Sequence, residues 1–319
     1  MKHPFPRGLS GAILVTALIL PHACLDAVAR SRSRVPAWVS RSGIILAPDR
    51  IGGIRGWYVL DTGNSKTSVT PEVAARLTPT GRSHLVFSSF GSDSIQAPVV
   101  KSGGIHFAGS KVRYPEELDV LDEGNLSKSF RHDVAGTIGW DILRAYVVSI
   151  DIRGPRLFAG RTLAAPKVLK RLAAIPVDAK LTLEIMNNGR GDGPYVTARS
   201  GAHELRLMLD TGADHTVLFH TTWKRLGGAP LEPGPRARSM TVTGEVTEYR
   251  ARLHDLRLGA LRMTDIPVTV STVPPRPLRK GASTATSDGV LGMDILARYW
   301  IVIDGPGRSL YLAERATNE

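Results

Sequence analysis

The chain repeats itself, and that repeat constrains its fold more than any other feature of the sequence. Tyr58-Val59-Leu60-Asp61-Thr62-Gly63-Asn64-Ser65 is echoed by Leu207-Met208-Leu209-Asp210-Thr211-Gly212-Ala213-Asp214. Farther along, Gly136-Thr137-Ile138-Gly139-Trp140-Asp141-Ile142-Leu143 is echoed by Gly289-Val290-Leu291-Gly292-Met293-Asp294-Ile295-Leu296. Each second motif is followed by a strand-like run, residues 146–151 and 299–304. A Gly/Pro turn comes next, Gly154-Pro155 or Gly305-Pro306-Gly307. A short apolar stretch then closes each copy, Leu157-Phe158-Ala159 and Leu310-Tyr311-Leu312. The same order of signals met twice implies two similar lobes, about 38–160 and about 178–316. Residues 161–177, rich in Ala, Leu and Lys, join them. The sequence leaves open whether that joint is a linker or a short helix.

The chain has 319 residues, enough for two lobes of ordinary size, and 42% of them are hydrophobic, as in folded globular proteins. The pattern is mostly β. Leu205, Leu207 and Leu209 alternate with Arg206 and Met208 to give one apolar face. Asn187-Asn188-Gly189-Arg190-Gly191-Asp192-Gly193 reads as a turn between strands. Thr70-Pro71-Glu72 has the form of a cap, a first-turn proline and an acidic first turn, which predicts a short helix over residues 73–77. Residues 222–226, ended by Gly227-Gly228, play that part in the second lobe. Many short strands with Gly-rich turns predict an all-β protein with few short helices, each lobe a closed β structure.

At the N-terminus, Lys2 and Arg7 precede the apolar run Gly11-Ala12-Ile13-Leu14-Val15-Thr16-Ala17-Leu18-Ile19-Leu20. That run is too short for a hydrocarbon core of about 30 Å, which takes roughly 20 residues. Pro21 ends it, and Ala27-Val28-Ala29 offers a small-x-small cleavage pattern. Residues 1–29 are therefore expected to be a cleavable secretory signal, with an uncleaved anchor as the alternative. No later segment reaches spanning length, so no stable membrane span is expected after cleavage. The single cysteine, Cys24, lies inside the signal. The remaining chain needs no thiol chemistry and suits an oxidising compartment.

One cysteine excludes a disulfide framework and thiolate zinc sites. There is no HExxH, GxxxxGK[ST] or Gly-x-Ser-x-Gly, so zinc-protease, P-loop and serine-hydrolase readings lack an anchor. The nine histidines are scattered, and only His215 adjoins a motif, so no metal is expected. Lys and Arg number 41 against 29 Asp and Glu. The arginines are spread along the chain with no basic helix interleaved with aromatics, which reads as a solvated basic surface. No nucleic-acid partner is expected. A basic surface-binding protein, the contrary reading, predicts salt-dependent retention on polyanions. Arg190-Gly191-Asp192 is a chance tripeptide in a Gly-rich turn.

The chemistry sits in the two Asp-Thr-Gly turns. Each ends an apolar strand, so its carboxylate is delivered at the mouth of a packed sheet, with Gly permitting a sharp turn behind it. One such turn is ordinary turn chemistry. Two, in lobes related by an approximate two-fold axis, bring two carboxylates face to face. They cannot both ionise cheaply, so one keeps a proton and the other does not. Such a pair, titrating as a unit, holds a water between a general base and a general acid. That is what amide hydrolysis without metal or covalent intermediate requires.

In these motifs the chain resembles the retropepsin/pepsin-type aspartic proteases, in particular the bacterial retropepsin-like family with two lobes in one chain. The resemblance runs over nearly all of the chain beyond the signal. It implies duplicated retropepsin-like lobes about a pseudo-two-fold axis, with Asp61 and Asp210 as the catalytic dyad. It also implies that Thr62 and Thr211 interlock, and that Gly63 and Gly212 donate backbone hydrogen bonds near the carboxylates. Asp214 looks like the residue that holds substrate backbone in retroviral members; Asn64-Ser65 stand there in lobe one. A hairpin flap is implied over the substrate. The candidates are Val86-Phe87-Ser88-Ser89-Phe90-Gly91-Ser92 and Met240-Thr241-Val242-Thr243-Gly244-Glu245, with Phe90, Gly91, Thr243 and Gly244 at the tips.

The expectation is a secreted aspartic endopeptidase acting on polypeptide, with no cofactor. With both Asp residues in one chain, it is expected to work as a monomer. The bacterial resemblance puts it in the periplasm of a Gram-negative cell. The rival reading is a non-catalytic peptide-binding or adaptor protein on the same fold, because fold does not fix function.

Overall fold

A computed structural model describes residues 33–87, 94–108, 110–112, 114–152, 156–160, 180–189, 191–231, 236–241, 244–274, 277–280 and 283–314. The expected signal (1–29) and joint (161–177) lie outside the described residues. No helix among the described residues is long and apolar enough to cross a membrane.

The structure is all-β with a few short helices, arranged in three sheets. Two sheets have ten strands each, one drawn from the first half of the chain and one from the second. Both are built on the same plan. In the first, Ile45–Ile51 and Ile54–Leu60 form an antiparallel hairpin, and Gly136–Ile138 lies parallel to Ile54–Leu60 in the register Tyr58↔Gly136, Leu60↔Ile138. In the second, Asp192–Ser200 and His203–Leu209 form the hairpin, and Gly289–Leu291 lies parallel to it, Leu207↔Gly289 and Leu209↔Leu291. A further short strand, Ser68–Val69 or Val217–Phe219, flanks each inserted strand on its other side. The inserted strands and the short strands beside them are buried along their whole length, and most of their residues are apolar. Leu60, Ile138, Leu209, Leu218 and Leu291 are all buried, as are Leu205 and Leu207 on the face that alternation predicts.

The third sheet belongs to both halves. Its order is Ser33–Pro36, Arg156–Gly160, Val147–Asp151, Tyr299–Asp304, Ser309–Glu314, Lys180–Thr182. Three strands come from each half, and the central pair runs antiparallel with Val147↔Asp304 and Ile150↔Ile301. An antiparallel pair of equivalent strands is what a two-fold axis between them produces. The Trp300 indole N–H donates to Ser149 Oγ (2.9 Å) across this seam. The duplicated lobes are thus joined by continuous backbone pairing.

The helices differ in detail from the sequence reading. The first is Pro71–Ala74 rather than 73–77; Thr70 is its N-cap residue but makes no side-chain cap bond. Its counterpart is His220–Arg225, after which Gly227 takes a left-handed φ of 73°. The motif Asp-Ile-Leu forms a single helical turn in each half, Trp140–Leu143 and Met293–Leu296. A seven-residue helix, Gly124–Phe130, has no signature in the sequence beyond its polar small residues. The stretch around 277–286, rich in Pro, Ser and Thr, is a hairpin rather than a loop: Pro277–Lys280 pairs with Ser283–Thr286.

Candidate active site

Each Asp-Thr-Gly turn begins where a central strand runs out. The Asp61 N–H donates to Ile138 O, and the Asp210 N–H to Leu291 O, both at 3.1 Å. That bond is the last rung of the parallel ladder, so the inserted strand fixes where each Asp leaves the sheet. The chain then turns, and its own amides solvate the carboxylate. Gly63 and Asn64 N–H donate to Asp61 Oδ1 at 2.8 and 3.0 Å. Gly212 and Ala213 N–H donate to Asp210 Oδ1 at 2.8 and 2.9 Å.

The two turns lock into each other. Thr62 Oγ1 donates to Leu209 O and Thr211 Oγ1 donates to Leu60 O, each at 2.7 Å. The same hydroxyl oxygens accept from the opposite threonine's N–H, each at 3.1 Å. Both threonines are buried, so all four bonds are shielded from water. Gly63 and Gly212 complete the contact. A Cβ at Gly63 would stand 2.6 Å from Asp210 Oδ1, and one at Gly212 2.6 Å from Asp61 Oδ2. Each turn can approach the other lobe's carboxylate only because it carries no side chain there.

The two carboxyls face each other closely enough that each acts on the other's protonation. Burial raises the pKa of both from the ordinary aspartate value of 3.8. For Asp61 the hydrogen bonds from Asp210, Asn64 and Gly63 work against that rise. Asp210, only 5% exposed, is pushed well above, by burial and then by the negative charge of Asp61. Asp61 is half-buried. Two buried carboxyls this close do not both ionise cheaply, so the pair holds one proton between them and titrates as a unit.

A supporting layer lies behind each turn that the sequence reading did not single out. Thr67 N–H and Oγ1 donate to Asp141 Oδ2 and Oδ1 at 3.0 and 2.7 Å, while Thr67 Oγ1 accepts from Gly139 N–H at 3.1 Å. In the second half, Thr216 Oγ1 donates to Asp294 Oδ1 (2.7 Å) and accepts from Gly292 N–H (3.1 Å). Asn64 O accepts from Trp140 N–H, and Ala213 O from Met293 N–H. The Asp of each second motif thus ties the turn to the inserted strand. The signal was available: Thr67 and Thr216, Asp141 and Asp294 recur with the repeat. Replacing Asp141 with Ala leaves two Thr67 donors unpaired in the interior, at a cost of about 1–3 kcal/mol, measurable by urea unfolding.

Asp214 is exposed, with its carboxylate 3.6 Å from His215 Nδ1. Thr78–Phe87 and Ser94–Lys101 form one hairpin, closing in register at Phe87↔Ser94. Phe90 and Gly91 lie outside the described residues. Arg236–Thr241 and Gly244–Leu258 form the other, closing at Thr241↔Gly244; Gly244 starts its strand, and Thr243 lies outside the described residues. Among the described residues no group of three or more His, Cys, Asp or Glu is placed to hold a metal.

Residues 196–295, which include Asp210-Thr211-Gly212 and most of the second Gly-x-x-Gly-x-Asp-Ile-Leu, match the family model of aspartyl proteases. An aspartic proteinase from Irpex lacteus superposes with a TM-score of 0.50, covering 89% of this chain and 98% of its own, at 14% identity. The fold is that of a pepsin/retropepsin-type aspartic protease. At so low an identity the superposition speaks for the fold alone. No curated protein matches the sequence. The stretch that matches the family model carries the second Asp-Thr-Gly turn, and the first lobe carries an equivalent turn outside that match.

Proposed function

We propose that the chain is an aspartic endopeptidase in which Asp61 and Asp210 activate one water against a peptide bond. The observation that carries this is the pair of facing carboxyls, each held by two backbone amides of its own turn and each acting on the other. Ionised Asp61 takes a proton from the water as its oxygen attacks the carbonyl carbon. Protonated Asp210 gives its proton to the carbonyl oxygen, so the tetrahedral centre forms without a free oxyanion. Return of a proton to the amide nitrogen then lets the C–N bond break, leaving an acid and an amine. The substrate lies extended across the dyad, and the two hairpins, Thr78–Phe87 with Ser94–Lys101 and Arg236–Thr241 with Gly244–Leu258, offer it strand pairing.

The experiment is incubation of the full chain with a mixed peptide library from about pH 3 to 8, with products read by mass spectrometry. Internal cleavages supporting a bell-shaped pH profile are expected. Its acid limb reports protonation of Asp61 and its alkaline limb loss of the Asp210 proton, which lies above the usual carboxylate range. Intact peptides from folded protein at every pH defeat the reading.

The proposal includes export as a periplasmic monomer. It rests on Lys2, Arg7, the apolar run 11–20 and Ala27-Val28-Ala29. A mature N-terminus near residue 30, found by sequencing protein from the native host, supports export; an intact residue 1 counts against it.

A further inference from the structure

The lobes share a frame, but their interiors differ beneath the dyad. In lobe one, Asp49 pairs with Gly56, Tyr58 with Gly136, and Ser68 with Thr137. At the same register positions, lobe two has Ala198 with Leu205, Leu207 with Gly289, and Val217 with Val290. Asp49, Tyr58, Ser68 and Thr137 are thus replaced by Ala198, Leu207, Val217 and Val290, all buried. The apolar set suffices to build the lobe, so the fold does not demand the polar one.

The centre of the polar set is Glu123, which is buried just before helix Gly124–Phe130. Ser68 Oγ and Thr137 Oγ1 both donate to its Oε1 at 2.9 Å. Its Oε2 is buried without a hydrogen-bond partner among the described residues, as are Tyr58 OH and Asp49 Oδ2. Among the described residues no cation acts on it; the charged groups that do are Asp61 and Asp122, and Asp49 and Glu123 in turn act on Tyr58. Burial and the acidic neighbours favour the neutral carboxyl and outweigh the two hydroxyl donors, which work the other way.

Its position links it to Asp61. Thr137 precedes Ile138, whose carbonyl accepts from Asp61 N–H, and Ser68 follows Thr67, which holds Gly139 N–H. One oxygen therefore clamps the two strands that place the Asp61 turn. We propose that Glu123 is a positioning residue for Asp61, its buried carboxyl tying Ser68 to Thr137, and that placing a charge on it in that interior costs the fold stability. This deepens the peptidase reading and rests on it for its catalytic consequence.

Burial holds Glu123 up to about 7, and Asp49 likewise to about 7, against the ordinary carboxylate range. A carboxyl raised on folding contributes stability that is complete below its unfolded value near 4.5 and is lost as pH rises through its folded value. Thermal unfolding of the full chain is therefore expected to give a Tm that falls between about pH 4.5 and 7. Glu123→Gln keeps the acceptor oxygen and cannot ionise, so its share of that fall is expected to disappear; Asp49→Asn removes a separate share, and the dyad carboxyls contribute the same way in every variant. In peptide turnover at acid pH, Glu123→Val is expected to lower kcat about tenfold with KM unchanged, and Glu123→Gln to restore it to within about twofold of wild type. Parallel Tm–pH curves for wild type and Glu123→Gln overturn the proposal, as does a wild-type kcat in Glu123→Val. The stability curves decide even for a chain that cleaves no peptide, so failure of the peptidase reading and failure of this one are told apart.

Discussion

Asp61→Asn and Asp210→Asn are each expected to reduce peptide turnover by roughly 10³- to 10⁴-fold, the scale on which a positioned acid or base contributes. The two losses have different origins. At position 61 the amide still accepts from Gly63 and Asn64 N–H, so the turn survives, but it cannot take a proton from water. At position 210 the amide keeps the contacts of Gly212 and Ala213 but has no acidic proton for the carbonyl oxygen. Because the two groups act as one unit, the double variant is expected to be no worse than about either single one. Stability moves the other way. Replacing a buried, coupled carboxyl with a neutral isostere removes its ionisation cost, so Tm at pH 7 is expected to rise or hold. Turnover by mass spectrometry, beside thermal unfolding of the same samples, checks both halves. Persistent cleavage in either variant removes the dyad from the mechanism.

Gly212→Ala and Gly63→Ala are the second pair with large expected effects. Neither glycine has a positive φ, so the backbone alone tolerates alanine. What it does not tolerate is the methyl group, which would stand 2.6 Å from an oxygen of the opposite carboxylate. That carboxyl is fixed by its amide donors, and the turns are fixed by the buried Thr62–Thr211 bonds, so the strain has no soft outlet. Displacement of a reacting group by about 1 Å costs on the order of 10²-fold, and turnover is expected to fall at least that far. Overpacking a tight interior adds about 1–3 kcal/mol of lost stability. A crystal structure of either variant would show the carboxyls moved apart. Wild-type kcat in Gly212→Ala would mean that the turns separate in solution.

The contrast between these variants and Glu123 shows what each level of structure contributes. The dyad residues are named by a tripeptide that recurs, and their neighbours at 67, 141, 216 and 294 recur with it, although a single sequence gives no reason to select them. Glu123 breaks the repeat. Nothing near it in sequence distinguishes it from an exposed acidic residue before a helix. Only pairing of Ser68–Val69 with Gly136–Ile138 brings two hydroxyls to its carboxyl.

The joint sheet was equally hidden. The runs 146–151 and 299–304 read as strands because they are apolar and turn-bounded. Their partners lie on opposite halves of the chain, and periodicity carries no information about a partner so far away. The hairpin at 277–286 was obscured for a different reason: Pro277, Lys280 and Ala285 are poor strand formers, and cross-strand pairing overrides their preference.

The sequence by itself determined the duplication, the β class and the pair of carboxylates, because these are written in local patterns that occur twice. The tertiary structure decided how deeply the two carboxyls are buried, what holds each turn, and how unlike the two lobes are inside. Those properties depend on burial and on donors that arrive from strands tens of residues away. They exist only once the chain has closed around them.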